Sequence, residues 1–148
     1  MRRPAVITAI VFGGFFFLGT SIFLARGFSA TNAERGKVFE VLRAQAVGDS
    51  DRVLELLPDC AEVPACATTV RTRAPRLRRS GKVDILQYKP SVQLAVTDEE
   101  GTARVAWKAG DSNPIVQCVR VRRTGALNGA RAELISIGGP LAGEAACR

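Results

Sequence analysis

The stretch PAVITAIVFGGFFFLGTSIFLA, Pro4–Ala25, runs for 22 residues without an ionisable side chain, and Arg26 ends it. A helix of that length, rising about 1.5 Å per residue, reaches roughly 30 Å, which matches the hydrocarbon core of a bilayer. The sequence therefore predicts a transmembrane anchor over residues 1–28 and one compact domain over residues 29–148.

A cleaved secretory signal is the alternative interpretation of the same segment. Arg2 and Arg3 would form its positive region, and Thr31-Asn32-Ala33 loosely matches a cleavage site. The apolar stretch is longer than the roughly 7–15 residues of a signal core, and this length favours an uncleaved anchor.

The cysteines decide the expected orientation, because arginines flank both ends of the apolar segment. All four lie beyond that segment, at Cys60, Cys66, Cys118 and Cys147. An even number of cysteines in a small domain is typical of an oxidising compartment, so we expect a single-pass protein of the cell membrane with its C-terminal domain extracytoplasmic. Three disulfide connectivities are open, and the simplest joins Cys60 to Cys66 and leaves Cys118 for Cys147.

The sequence contains no motif for a metal or a cofactor. It has no histidine, and the gaps between successive cysteines are 5, 51 and 28 residues. These gaps match neither the pairs of structural zinc sites nor a C-x-x-C redox centre. We therefore expect structural disulfides and no metal or cofactor.

Helical patterns fill the first half of the domain. Thr31 and Glu34 have the spacing of a capping box, which predicts that a new helix begins there. Its apolar face comprises Val38, Val41, Leu42 and Gln45, widened by Phe39 and Ala46. Gly48 stands where a C-terminal stop belongs.

Two shorter helices are predicted next. Asp49 or Ser50 caps the second helix, which Pro58 closes. A third helix is predicted from Pro64 to about Ala74, with proline tolerated in its first turn.

From Lys82 the pattern changes to the alternation of strands. The first strand begins at Val83, is interrupted by Pro90 and resumes over Val92–Thr97. A polar turn, Asp98–Gly101, leads to the second strand, Ala103–Trp107, and completes a hairpin. The last two predicted strands are Ile115–Arg123 and, after a Gly125–Gly129 turn, Ala130–Ile137. The predicted fold is α+β, with two or three helices packed on a curved four-stranded antiparallel sheet.

This order of elements resembles the NTF2-like (SnoaL-like, cystatin-like) superfamily over roughly Ala30 to Ile137, and small membrane-tethered or secreted domains of actinobacteria look similar. The resemblance implies a long helix lying in a curved sheet, with a cone between them. Such families often have a glycine–tryptophan pair at the start of the last strand, whereas this chain has Gly129-Ala130-Arg131 there and its only tryptophan at Trp107. Many members of the superfamily are non-enzymatic pocket proteins or assembly modules, and a fold does not by itself fix a function.

Two large amphipathic side chains, Tyr88 and Trp107, are the candidates for lining a ligand cavity in the cone, although core packing is the simpler role for Trp107. Enzymes of the superfamily use an aspartate, histidine or tyrosine within the cone. Histidine chemistry is excluded here because the chain has no histidine. Asp84 is predicted to point outward, since it alternates with Val83 and Ile85, so we assign no catalytic residue.

A basic segment is the candidate for recognising a partner. Six cations fall within 12 residues with no acid among them: Arg71, Arg73, Arg76, Arg78, Arg79 and Lys82. They would suit anionic lipid headgroups, an anionic envelope polymer or an acidic protein; a solvated loop in an arginine-rich chain is the alternative. Nucleic acid is not expected outside the cell.

These patterns together predict a membrane-anchored, non-catalytic binding or interaction module of a bacterial cell envelope. The alternative is a small-molecule carrier or an enzyme that uses the cone cavity. A homodimer through the open sheet face is a further expectation, unless the C-terminal tail covers that face.

Overall fold

The computed structural model describes residues 3–92, 97–125, 129, 131–142 and 147, and it confirms the α+β class. Within these residues the elements are, in chain order, α1 (Arg3–Val47), α2 (Ser50–Glu55), α3 (Pro58–Glu62), α4 (Pro64–Arg73), a 3-10 turn (Ala74–Leu77), β1 (Val83–Lys89), β2 (Glu99–Ala109), β3 (Ile115–Arg123) and β4 (Ala132–Ile137). The strands form one antiparallel sheet in the order β1-β2-β3-β4.

Helix α1 is a single helix of 45 residues, although the sequence predicted a second helix beginning at Thr31. The capping-box prediction is wrong because the Glu34 carboxylate accepts hydrogen bonds from Ser91 and from Arg123 of β3, and the Thr31 hydroxyl also accepts one from Arg123. No proline follows Pro4 within α1, so no residue there lacks a backbone donor and the helix continues.

The first part of α1, residues 10–28, exposes large apolar side chains on all sides. They are Ile10, Val11, Phe12, Phe15, Phe16, Phe17, Leu18, Ile22, Leu24 and Phe28. By length and composition, α1 is a helix that could cross a membrane.

The second part of α1, residues 30–47, packs on the inner face of the sheet. Its predicted apolar face is confirmed, since Val38, Val41, Leu42 and Gln45 are all buried. The helix ends at Gly48, as predicted, with a φ of 79° that favours glycine. There the Gly48 N–H donates to the Gln45 carbonyl and the Asp49 N–H to the Ala44 carbonyl, both at 3.0 Å, which is a Schellman motif.

The short helices follow the predicted caps with one exception. Asp49 caps α2, as its side chain accepts from the Arg52 N–H at 2.9 Å. Pro58 was predicted to close that helix, but it opens α3 instead, at a first-turn position where its missing N–H costs no hydrogen bond. The third predicted helix is confirmed as α4, with the 3-10 turn continuing it.

Two bulges change which side chains of the sheet face α1. In β1 the pairing passes from Ile85 opposite Trp107 to Gln87 opposite Ala106, so Leu86 is the extra residue. The alternation therefore shifts by one, and Tyr88 faces inward opposite buried Val105. Ile135 is the corresponding extra residue in β4.

The predicted turn at Asp98–Gly101 is wrong, because Glu99–Gly101 belongs to β2 and lies opposite the end of β3. The register places Glu100 against Arg122, and its carboxylate accepts from that guanidinium at 3.0 Å. Gly101 lets the chain pass closely, since a Cβ there would lie 2.6 Å from the Ser91 carbonyl oxygen. Of the predicted strand Val92–Thr97, residues 93–96 lie outside the described residues.

Both disulfides of the simplest predicted connectivity are present, Cys60–Cys66 and Cys118–Cys147. Cys118 lies on the outer face of the sheet, between inward-facing Gln117 and Val119. After β4 the tail follows the edge of β3, where the Leu141 N–H donates to the Val116 carbonyl at 2.8 Å. Residues 143–146 lie outside the described part of the chain.

Candidate functional site

A buried ion pair joins helix α1 to strand β3. Arg123 Nε donates to Glu34 Oε2 at 2.6 Å, and the two side chains are 1% and 0% exposed. Ser91 donates to the same carboxylate twice, from its N–H at 3.0 Å and its hydroxyl at 2.8 Å. The Tyr88 hydroxyl donates to Glu34 Oε1, and Arg123 Nη2 donates to the Thr31 hydroxyl at 3.2 Å. We call these five residues the Glu34 network.

The burial and hydrogen bonding of the Glu34 network indicate a structural role. The carboxylate accepts four hydrogen bonds and has no exposed surface, so a solute cannot reach it. A buried charge of this kind is stable only when it is paired and fully hydrogen-bonded. The network therefore fastens α1 to β1, β3 and the chain after β1.

Tyr88 faces α1, and its hydroxyl donates its hydrogen bond to Glu34 within the network. Burial raises the pKa of the Tyr88 hydroxyl, and the hydrogen bond to Glu34 and the negative charge of that carboxylate raise it further. The neutral form is thus favoured, and only this form can donate to the carboxylate. A role for Tyr88 in binding a ligand stays a prediction.

Trp107 lies on the same inner face, with no exposed surface. Its Nε1–H donates to Gln117 Oε1 at 2.7 Å, and Gln117 Nε2 donates to the Gly138 carbonyl at 2.9 Å. The indole is thus packed in the core and hydrogen-bonded there, which is the simpler of its two predicted roles.

The space between the helices and the inner face is filled by apolar side chains. Those with no exposed surface are Val38, Val41, Leu42, Val53, Leu57, Ala103, Val105, Ala109, Val119 and Val121. Asp84 points away from this space, since its side chain is about half exposed and lies 3.7 Å from Lys82 Nζ. The buried apolar side chains described between the helices and the sheet therefore form one contiguous cluster.

The six cations of the basic segment are spread over several elements. Arg71 and Arg73 lie on α4, Arg76 on the 3-10 turn, and Arg78, Arg79 and Lys82 on the chain that leads to β1. The Arg73 guanidinium is held toward β4, because it donates to the Ile137 carbonyl at 3.1 Å.

The last three cations lie near the end of α1. The Arg79 N–H donates to the Ala46 carbonyl at 2.8 Å. A Cβ at Gly48 would lie 3.6 Å from Cδ of Arg78, which places that side chain beside the helix stop. The sequence placed all six cations in one group, but the fold directs Arg73 toward β4 and away from the three cations near the end of α1.

An open groove separates α1 from β1. One part, of about 470 Å³, is lined by Asn32, Arg35, Gly36 and Phe39 of α1 and by residues 82–85. A second part, of about 390 Å³, shares three of those residues and adds Arg43, Ala46, Val47 and Gly81. We call the two parts together the α1–β1 groove.

Sequence reasoning missed the Glu34–Arg123 pair. It assigned Glu34 to a local cap and did not pair Arg123 with it. A signal was present, because Arg123 continues the inward alternation and Glu34 lies one helical turn before buried Val38. Opposite charges on two faces predicted to pack together predict an ion pair.

Among the described residues, no three His, Cys, Asp or Glu side chains lie close enough together to hold a metal ion. Comparison with known proteins adds no relative: no family model matches the chain, and no curated protein or solved structure matches it.

Proposed function

We propose that this protein is a non-catalytic interaction module, anchored in the cytoplasmic membrane of a bacterium by the first part of α1 and exposing its α+β domain outside the cell. We further propose that the domain is NTF2-like. A long helix lying on a four-stranded antiparallel sheet with long central strands supports that assignment.

The observation that carries the proposed function is the state of the polar groups between α1 and the sheet. Glu34, Arg123, Gln117 and the Trp107 indole are buried and hydrogen-bonded to protein atoms, whereas among the described residues Gln45 Oε1 is buried without a hydrogen-bond partner. Groups committed in this way hold the fold together and are not free to bind or convert a substrate in the cone. The polar groups open to a partner are on the surface, where the exposed members of the basic segment lie.

The continuity of α1 supports an anchor over a cleaved signal. Cleavage after Ala33 would remove Thr31 from the Arg123 guanidinium and expose the carboxylate of Glu34 at a new chain end. An uncleaved helix keeps the Glu34 network whole. Two disulfides support the placement of the domain in an oxidising compartment.

Anchoring and orientation are tested together in bacterial cells that express the full chain with a short N-terminal tag. Alkaline-washed membranes should retain the full-length protein with the tag still attached at its N-terminus. Protease added to spheroplasts should remove the domain and leave the tag intact. A soluble product that begins near Glu34 would contradict the anchor, and protection of the domain would contradict the orientation.

The interaction role is tested with the full chain in phosphatidylcholine nanodiscs and two polyanions, poly-L-glutamate and phosphatidylglycerol vesicles. We expect binding at low salt that weakens as salt rises, because exposed charges are screened. Reversing Arg76, Arg78 and Arg79 to glutamate should weaken it at least tenfold. Unchanged binding would remove the basic segment from the proposal.

A further inference from the structure

We propose that the α1–β1 groove binds an extended acidic segment of a partner protein, which adds to the sheet as a strand beside β1. The inference deepens the proposed function, on which it rests, by naming the site and the class of partner. It is carried by the backbone of β1, the shape of the groove and its charge.

The backbone of β1 has hydrogen-bonding groups on its free side. The Gly110 N–H donates to the Lys82 carbonyl at 3.0 Å, so the neighbouring pair, Val83 and Ala109, is of the non-hydrogen-bonded type. The N–H and C=O groups of Val83 therefore point away from β2, and so do those of Ile85 two residues later. Among the described residues β1 pairs only with β2, which makes it an edge of the sheet.

The groove has the length of a short strand. The residues of α1 that line it lie at successive helical turns on one face, from Asn32 to Val47. At about 1.5 Å per residue this face is roughly 22 Å long, which equals six or seven residues of extended chain at about 3.3 Å each. An extended peptide that pairs with Val83 and Ile85 would place alternate side chains against this face.

The charge of the groove selects an acidic segment. Arg35, Arg43 and Lys82 line it, and Asp84 is the single carboxylate among its lining residues in the described part of the chain. Arg78 and Arg79 lie beside its far end, near Gly48 and Ala46. The floor is apolar, with Phe39 under the Arg43 guanidinium, whose carbon is 5.3 Å from the ring centre.

A lipid fits the same groove less well. Its acyl chain would cover the free N–H and C=O groups of Val83 and Ile85 without offering a hydrogen bond, which is costly for buried backbone. An extended peptide satisfies those groups and takes up the positive charge. Strand addition to an exposed edge is also a general mode of peptide recognition.

The test uses the full chain in phosphatidylcholine nanodiscs and three fluorescein-labelled heptapeptides. The first is EVEVEVE, the second is KVKVKVK, and the third is EVEVEVE with alternate backbone nitrogens methylated so that one edge cannot pair. Anisotropy measures binding, and hydrogen exchange reports protection of residues 81–87. We expect EVEVEVE to bind at least tenfold more tightly than either control and to slow exchange in residues 81–87.

Matched variants locate the site. Arg43→Glu with Lys82→Glu should weaken EVEVEVE binding at least tenfold, whereas Arg52→Glu with Arg131→Glu, two exposed reversals outside the groove, should change it less than twofold. Near-ultraviolet circular dichroism of the single tryptophan checks that each variant is folded. Equal loss in both variants would overturn the site.

The remaining outcomes separate this proposal from the proposed function. Equal binding of EVEVEVE and its methylated form would overturn strand addition while leaving an anion-binding module. Protection of residues 81–87 by phosphatidylglycerol nanodiscs without peptide would assign the groove to lipid and overturn the peptide proposal. Failure of EVEVEVE to bind, with poly-L-glutamate still bound, would overturn the groove alone; failure of all polyanions would overturn both.

Discussion

The two parts of helix α1 have the same backbone and opposite surroundings. Leu18 in the first part is 59% exposed, whereas Leu42 in the second is fully buried. Thr20 in the first part donates to the Phe16 carbonyl of its own helix, whereas Thr31 in the second accepts from Arg123, 92 residues away. The two parts therefore differ in what surrounds them and not in backbone structure. The first part is suited to lipid, and the second is fixed to the sheet.

The junction between the two parts of α1 connects the apolar segment directly to the domain. The Glu34 network binds α1 to the sheet close to the end of the apolar segment, and the chain between Ala25 and Glu34 is helical throughout. A domain joined in this way would be held at a set height and angle above the membrane. That geometry suits a module that presents a surface to a partner.

The largest effect is expected from breaking the junction itself. Glu34→Ala leaves the Arg123 charge buried without its partner and should lower the free energy of unfolding by roughly 3–5 kcal/mol. Glu40→Ala, an exposed change on the same helix, should stay within about 0.5 kcal/mol. Urea unfolding of the full chain in detergent, followed by near-ultraviolet circular dichroism, measures both.

A double variant separates the effect of the two charges from the effect of the volume that their side chains fill. Glu34→Leu with Arg123→Met should recover only part of the lost stability, because it leaves no unpaired buried charge but removes the acceptor of the Ser91 and Tyr88 donors. Equal stability of Glu34→Ala and Glu40→Ala would contradict the account of the junction.

A second prediction compares the two environments with one substitution. Leu42→Ala removes fully buried side-chain atoms and should lower the free energy of unfolding by about 3 kcal/mol. Leu18→Ala, in the exposed part, should leave the unfolding of the domain unchanged within about 0.5 kcal/mol. Similar losses in the two variants would mean that the first part of α1 also packs against the domain.

The smallest effect concerns the pH dependence from Tyr88, the only tyrosine of the chain. Because burial and Glu34 raise its pKa in the folded state, its contribution is complete below about pH 10 and is lost as the pH rises above the value of free tyrosine. Tyrosinate absorbance should therefore appear only as the domain unfolds. Tyr88→Phe should remove this alkaline dependence and cost about 2 kcal/mol near neutral pH, since a hydrogen bond to a carboxylate is lost. Tyrosinate formation in a domain that remains folded near pH 10 would contradict the buried hydrogen bond.

The elements of this fold could be predicted where local chemistry decides them. Gly48 and Asp49 mark a helix end and a cap, because a left-handed φ and a side-chain acceptor are properties of single residues. The bounds of β3, Ile115–Arg123, were predicted equally well. The break predicted at Thr31 failed because Glu34 binds a residue 89 positions away, which a local pattern does not contain.

The bulges and the groove could not be predicted from the sequence, because they depend on how the strands and helices pack in three dimensions. The orientation of Tyr88 depends on one extra residue, Leu86, and this insertion exists only relative to β2. The basic segment was found as a run of charge, but its division between Arg73 near β4 and Lys82 in the groove follows from the packing of α4. A sequence pattern lists such groups without saying which ones meet.

A distance between two spin labels shows whether α1 is continuous across the junction. Ser21→Cys and Glu40→Cys place labels 19 residues apart, on either side of the Glu34 network, in the full chain in nanodiscs, and the paired native cysteines do not react. An unbroken helix predicts one narrow distribution centred at about 28 Å between the two backbone positions. A broad distribution, or one centred well below that value, would contradict a single helix fixed to the domain.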